Sequence, residues 1–170
     1  MAEQLTEPPQ DVADPGELVI QYLDHYRDTV WHKVEGLTEA DLRRAVLPSG
    51  WSMLELLHHL LYVERRWLQW CFLGVGEELP RGDWDLAAGR WAVPDDLAAE
   101  TVRAEFWQEA ERSRRLVAEH PLATVAQRTR DEGLPPPTLA WILFHLLQEY
   151  ARHAGHLDAT RELIDDSNAR

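Results

Sequence analysis

Apolar residues recur at helical rather than strand spacing through most of this chain, and no stretch alternates over a useful length. The longest run, TLAWILFHLLQEYARHAGHLDATRELI from Thr138 to Ile164, follows Pro135-Pro136-Pro137, and Thr138 is a natural cap for it. Stepping four and three from Ile142 traces one seam through Leu146, Glu149, His153, His156, Thr160 and Leu163. That seam begins apolar and turns polar halfway. Ser52 and Glu55 form a capping box ahead of LLHHLLYVERRWLQWCFL, so a second helix starts there. On its wheel Leu56, His59, Leu60, Val63, Trp67 and Trp70 share the inner face, Glu64 and Arg65 turn toward solvent, and His58 lies about 100° from His59.

Two more helices complete the pattern. One runs from near Pro15 to about Gly36 with Val19, Tyr22, Tyr26 and Val30 on one side; the other runs from about Asp95 to His120 with Leu97, Val102, Phe106, Ala110 and Leu116 inward. Thr38-Glu39-Ala40-Asp41 opens a short connector helix that Pro48-Ser49-Gly50 ends. The expected fold is all-α, a four-helix up-down bundle with long inter-helix loops and a short connector helix. Residues 1–14 read as a flexible acidic N-terminus, 15–166 as the bundle and 167–170 as a C-terminal tail. The excursion from Gly74 to Pro94, with Trp84 and Trp91 in it, is long enough to be functional or to drape over a pocket mouth.

Composition narrows the partners. With 170 residues the chain forms one core, and 30 acidic against 17 basic residues give a net charge of -13, which repels phosphate backbones and anionic lipid. Neither nucleic acid nor a membrane is an expected partner, and no run reaches the roughly 18 apolar residues of a membrane span. The opening MAEQLTEPPQDVADPGE has no basic start or apolar stretch, so the expected location is cytoplasmic. The single cysteine, Cys71, excludes an intrachain disulfide and a cysteine-rich zinc cluster, and it reads as a buried, inert thiol.

A metal would therefore need histidine and carboxylate donors. Glu149 and His153, four apart, stand one turn over each other, and His59 faces them from the second helix. Three such ligands, His59, Glu149 and His153, would leave zinc or nickel an open position. The competing reading makes His59 a hydrogen-bonded core histidine and Glu149 the partner of Arg66 or Arg152; spacing alone leaves both open. His156 is the candidate catalytic residue, a proton donor lining the pocket, unless it is structural. His145 either replaces a ligand or bonds to Glu149, and His58 is a surface or inter-helix residue. Trp67, Trp70 and Trp141 fit packing, Trp84 and Trp91 fit a cover over the open position or a dimer surface, and the acidic run Glu100 to Glu111 reads as a solvated face.

The stretch GWSMLELLHHLLYVERRW resembles the second-helix motif of the DinB/YfiT-like family, and ILFHLLQEYARHAGHLD is similar to its fourth-helix motif. By that resemblance the ligand histidines are His59 and His153. Glu149 departs from the histidine of many members and resembles the actinobacterial mycothiol-dependent branch, whose metal set is His, Glu, His. The resemblance implies a cytoplasmic four-helix protein of DinB-like type, frequently a homodimer, holding a divalent metal, zinc first and nickel second. It implies a thiol S-transferase, with mycothiol as the thiol co-substrate and an electrophilic small molecule as the acceptor. Maleylpyruvate isomerisation is not expected, because the isomerase of that branch uses an additional C-terminal domain. The alternative is a non-catalytic DinB-like metal-binding or stress-response protein.

Overall fold

The computed structural model describes residues 5–130 and 133–168. Residues 1–4 of the expected flexible N-terminus and 169–170 of the expected tail lie outside the described residues. Among the described residues the chain is all-α apart from one small hairpin. Helix α1, Pro15–Val34, starts where Asp14 accepts from the Glu17 amide and Pro15 needs no partner for a missing N–H. It buries Val19, Leu23, Arg27, Val30 and Val34, so the inner stripe lies beside the expected one and leaves Tyr22 and Tyr26 half-buried. The short α2, Glu39–Arg43, is capped by Thr38, and its Leu42 is fully buried, so it contributes to the core as well as connecting.

Helix α3, Met53–Glu64, carries both bonds of the Ser52–Glu55 capping box. It runs on without a break into a π-helical segment, Arg65–Phe72, whose wider turn shows in the Leu73 amide bonding to the Leu68 carbonyl five residues back. An α-wheel drawn through that segment misplaces its side chains. Trp70, expected inward, is half-buried, while Arg66, Trp67, Leu68, Cys71 and Phe72 are buried. After it comes the long excursion, in which β1, Trp84–Asp85, and β2, Arg90–Trp91, pair antiparallel with Trp84 opposite Trp91. Helix α4, Ala99–Glu119, begins one turn later than the acidic signal at Asp95 suggested. Helix α5, Leu139–Asn168, follows Thr138, whose side chain accepts from the Trp141 amide.

Helix α1 packs along α5, and α3 packs against both α4 and α5. At their meeting point is a carboxylate that the sequence pattern placed in solvent. Glu64 is 1% exposed. It receives both Nε and Nη2 of Arg27 from α1 at 2.9 Å, the Tyr150 hydroxyl from α5 at 2.6 Å, and the Ser113 hydroxyl from α4. One acidic group thus ties together all four long helices. Burial, then the adjacent Glu64 charge, raises the Tyr150 phenol well above its ordinary value, so it stays protonated and donates. Glu109 corrects the reading of the α4 acidic run in the same way. It is 1% exposed, bonded by Gln69, and burial pushes its carboxyl upward.

Candidate functional site

The polar half of the α5 seam meets α3 where the pattern said it would. One donor atom from each of His59, Glu149 and His153 lies within 4.8 Å of the other two. His153 Nε2 and Glu149 Oε2 are 3.3 Å apart, which matches two donors sharing a tetrahedral ion at about 2.0–2.2 Å, where the spacing is about 3.3–3.6 Å. The chemistry of the set, two imidazoles and a carboxylate, could hold a borderline divalent cation with room for a further ligand.

The orientation of the histidines has a definite cause. His59 Nδ1 sits 2.9 Å from Asp83 Oδ2, so its N–H donates to the carboxylate and the lone pair is left on Nε2. Burial holds His59 below the usual imidazole range, although the Asp83 hydrogen bond pulls the other way. Asp83 is itself fixed. Arg66 clamps it with Nη1 on Oδ1 at 2.6 Å and Nη2 on Oδ2 at 3.0 Å, and Arg66 also reaches the Pro80 carbonyl. Burial alone would raise the Asp83 carboxyl, but His59 and Arg66 together hold it below its ordinary value. Glu149 is likewise held low, first by its bond from His153, with His145 and His59 adding to the effect.

His153 Nδ1 is 3.2 Å from His156 Nδ1. While His153 Nε2–H bonds to Glu149, its Nδ1 is the acceptor of this contact; with a cation on Nε2 the proton would sit on Nδ1 and donate to His156. His156 therefore reaches the trio through His153, and it is not among the side chains lining the neighbouring cavity. Burial, then His153 and Arg152, keeps His156 below the usual imidazole range. His145 Nε2 lies 3.5 Å from Glu149 Oε1 and stacks on Trp141. His58 is buried, with its Nδ1 3.2 Å from the Ala92 carbonyl, so it anchors the excursion rather than facing solvent. Neither arginine named in the competing reading forms an ion pair with Glu149 among the described residues: Arg66 belongs to Asp83, and the carboxylate is shared by His145 and His153.

A cavity of about 350 Å³ opens beside the trio, with His59 and Glu149 on its wall. The excursion supplies much of the rest through Leu79, Arg81, Asp83 and Trp84. Trp91 stacks on the His59 ring at 4.2 Å and meets His153 edge-on. Asp83 is the functional residue that the sequence pattern missed. The only signal pointing to it was the length of the loop, because an acidic residue outside a periodic element carries no mark of burial.

The profile of a family described as Mycothiol-S-transferase matches residues 18–166. No curated protein matches the chain. The crystal structure of a conserved protein from Enterococcus faecalis superposes with a TM-score of 0.64 at 15% identity, over 91% of this chain and 99% of that one, which shows a shared fold. No described helix is long and apolar enough to cross a membrane.

Proposed function

The chain belongs to the mycothiol-S-transferase family, and on that footing we propose that it is a divalent-metal-dependent thiol S-transferase, joining mycothiol to an electrophilic small molecule. The observation that carries this reading is the convergence of His59, Glu149 and His153 at the edge of an open cavity. Those three donors would hold a divalent cation, zinc first and nickel second, and such a cation would lower the pKa of a thiol bound to it.

The chain's own residues do the rest. Asp83, locked by Arg66, keeps His59 in the tautomer whose Nε2 is free. Trp91, stacked on His59, shields that side of the trio from water. The cavity positions the acceptor so that sulfur attacks the electrophilic carbon. A carbon–sulfur bond forms, the leaving group departs with its bonding pair, and the thiol proton passes to solvent. His156, half-exposed behind His153, is assigned to holding the His153 ring in place through its Nδ1 contact. In the same reading the four long helices are the DinB-like up-down four-helix bundle, with residues 15–166 as its extent. The protein works in the cytoplasm as a homodimer, which sedimentation would reveal as a particle of twice the chain mass.

The test pairs elemental analysis with turnover. Wild-type protein should carry about one zinc or nickel per chain and consume a chlorinated nitrobenzene only when thiol is present, while Glu149→Ala should lose both properties. A wild-type chain that binds no divalent ion under saturating supply would overturn the proposal. His156→Ala should weaken divalent-metal affinity about tenfold; an unchanged affinity would show that it does not orient His153.

A further inference from the structure

The cavity beside the trio has a charge opposite to that of the molecule. Across the chain acidic residues outnumber basic ones by 13, yet the cavity wall carries three guanidiniums, Arg66, Arg81 and Arg130, against two carboxylates, Asp83 and Glu149. Arg66 is consumed by its clamp on Asp83, and Glu149 is engaged by His145 and His153. The remaining positive charge is on Arg81 and Arg130. Arg81 forms no ion pair among the described residues, and Arg130 lies over the Trp67 ring with its guanidinium carbon 5.3 Å from the ring centre. Trp67 is 4% exposed, and its Nε1–H has no acceptor among the described residues. Among the described residues, two cationic forks and an indole donor around this cavity therefore have no carboxylate partner. The buried indole donor favours a ligand that brings an acceptor, and two exposed guanidiniums at the cavity mouth of an acidic protein set up a local positive field that concentrates anions there.

We propose that the electrophile taken by this cavity is a carboxylate-bearing small molecule, its carboxylate held by Arg81 and Arg130 while its reactive carbon faces the trio. This rests on the transferase reading, since it assigns a chemical class to that reaction's acceptor. For an aryl chloride acceptor the balance is simple. The thiol sulfur bonds to the ring carbon, chloride leaves with the bonding pair, and the thiol proton goes to solvent.

Binding and turnover separate the two ideas. On the zinc-supplemented full chain, calorimetry with the unreactive pair 3,5-dinitrobenzoate and 3,5-dinitrobenzamide should favour the carboxylate by at least about tenfold, the scale of one charge-assisted contact. Arg81→Ala with Arg130→Ala should bring that ratio close to one. Both side chains are exposed, so an unchanged thermal midpoint should show that the double variant folds. Equal affinity for the two probes in the wild type would overturn the proposal, as would a preference that survives the double variant. So would a double variant that weakens thiol binding alone. Thiol-dependent chloride release from 4-chloro-3,5-dinitrobenzoate should exceed that from its amide. A carboxylate preference in binding with no chloride release supports the anion site and counts against the transferase, whereas equal release from both compounds counts against the anion site and supports the transferase.

Discussion

Asp83 shows how a loop carboxylate can set the orientation of a helix side chain. Its carboxylate spans His59 and Arg66, so changing it alters two partners at once. Asp83→Asn retains an oxygen at the same place but removes the charge that makes His59 a better donor, and divalent-metal affinity measured against a chelating dye should fall about 10- to 100-fold. An unchanged affinity would mean that the loop carboxylate does not orient the trio. Cys71 gives a second check at this scale. Its thiol donates to the Arg128 carbonyl, and burial pushes it up to about 11 from an ordinary value of 9.0. At pH 8 the native thiol is therefore protonated and should resist iodoacetamide, while the urea-unfolded chain should react. Rapid native labelling would contradict the packing around the end of the π-helical segment.

Among the elements, the tie between helices is concentrated at Glu64. Glu64→Gln leaves the buried Arg27 guanidinium with only the partly exposed Asp24 as counter-charge and should cost about 3 kcal/mol in a urea titration. A loss below about 1 kcal/mol would show that the chain readily rearranges around it. The excursion is fixed just as closely, since a Cβ at Gly82 would overlap the Tyr62 phenol. Gly82→Ala should therefore displace Asp83 and weaken metal binding while leaving helix content unchanged by circular dichroism. The sequence revealed the trio and the starts of α1, α3 and α5 because caps and four-residue spacings are local patterns, whereas α4 follows Ala98, which has no capping side chain. Glu64 was hidden because Arg27, Ser113 and Tyr150 stand 37, 49 and 86 positions away, and a charged side chain on a wheel defaults to solvent. The traced seam also slips by one position at its far end. A strict seven-residue repeat drifts by about 20° per heptad on a straight helix, so Ile164 is buried where Leu163 was expected.

At the scale of the whole molecule, the proposed ion links α3 to α5, so its removal should be visible as lost stability. An ion present at about 100 times its dissociation constant adds about 2.7 kcal/mol. For a chain of this size that corresponds to a melting point lower by about 5–10 °C after chelation. Glu149→Ala should show no such difference between metal-loaded and chelated samples, and an identical wild-type melting point with and without chelator would argue against the bridge. The trio rides on two long helices, whereas Leu79, Arg81 and Trp84 hang from the single excursion over residues 73–98. Reactive machinery and molecular taste thus meet on one loop, because Asp83, which orients His59, hangs from it too. Transplanting that excursion from a relative should import part of the donor's choice of acceptor, Arg130 staying behind, and should keep the trio aligned only where the incoming loop supplies a carboxylate at the place of Asp83.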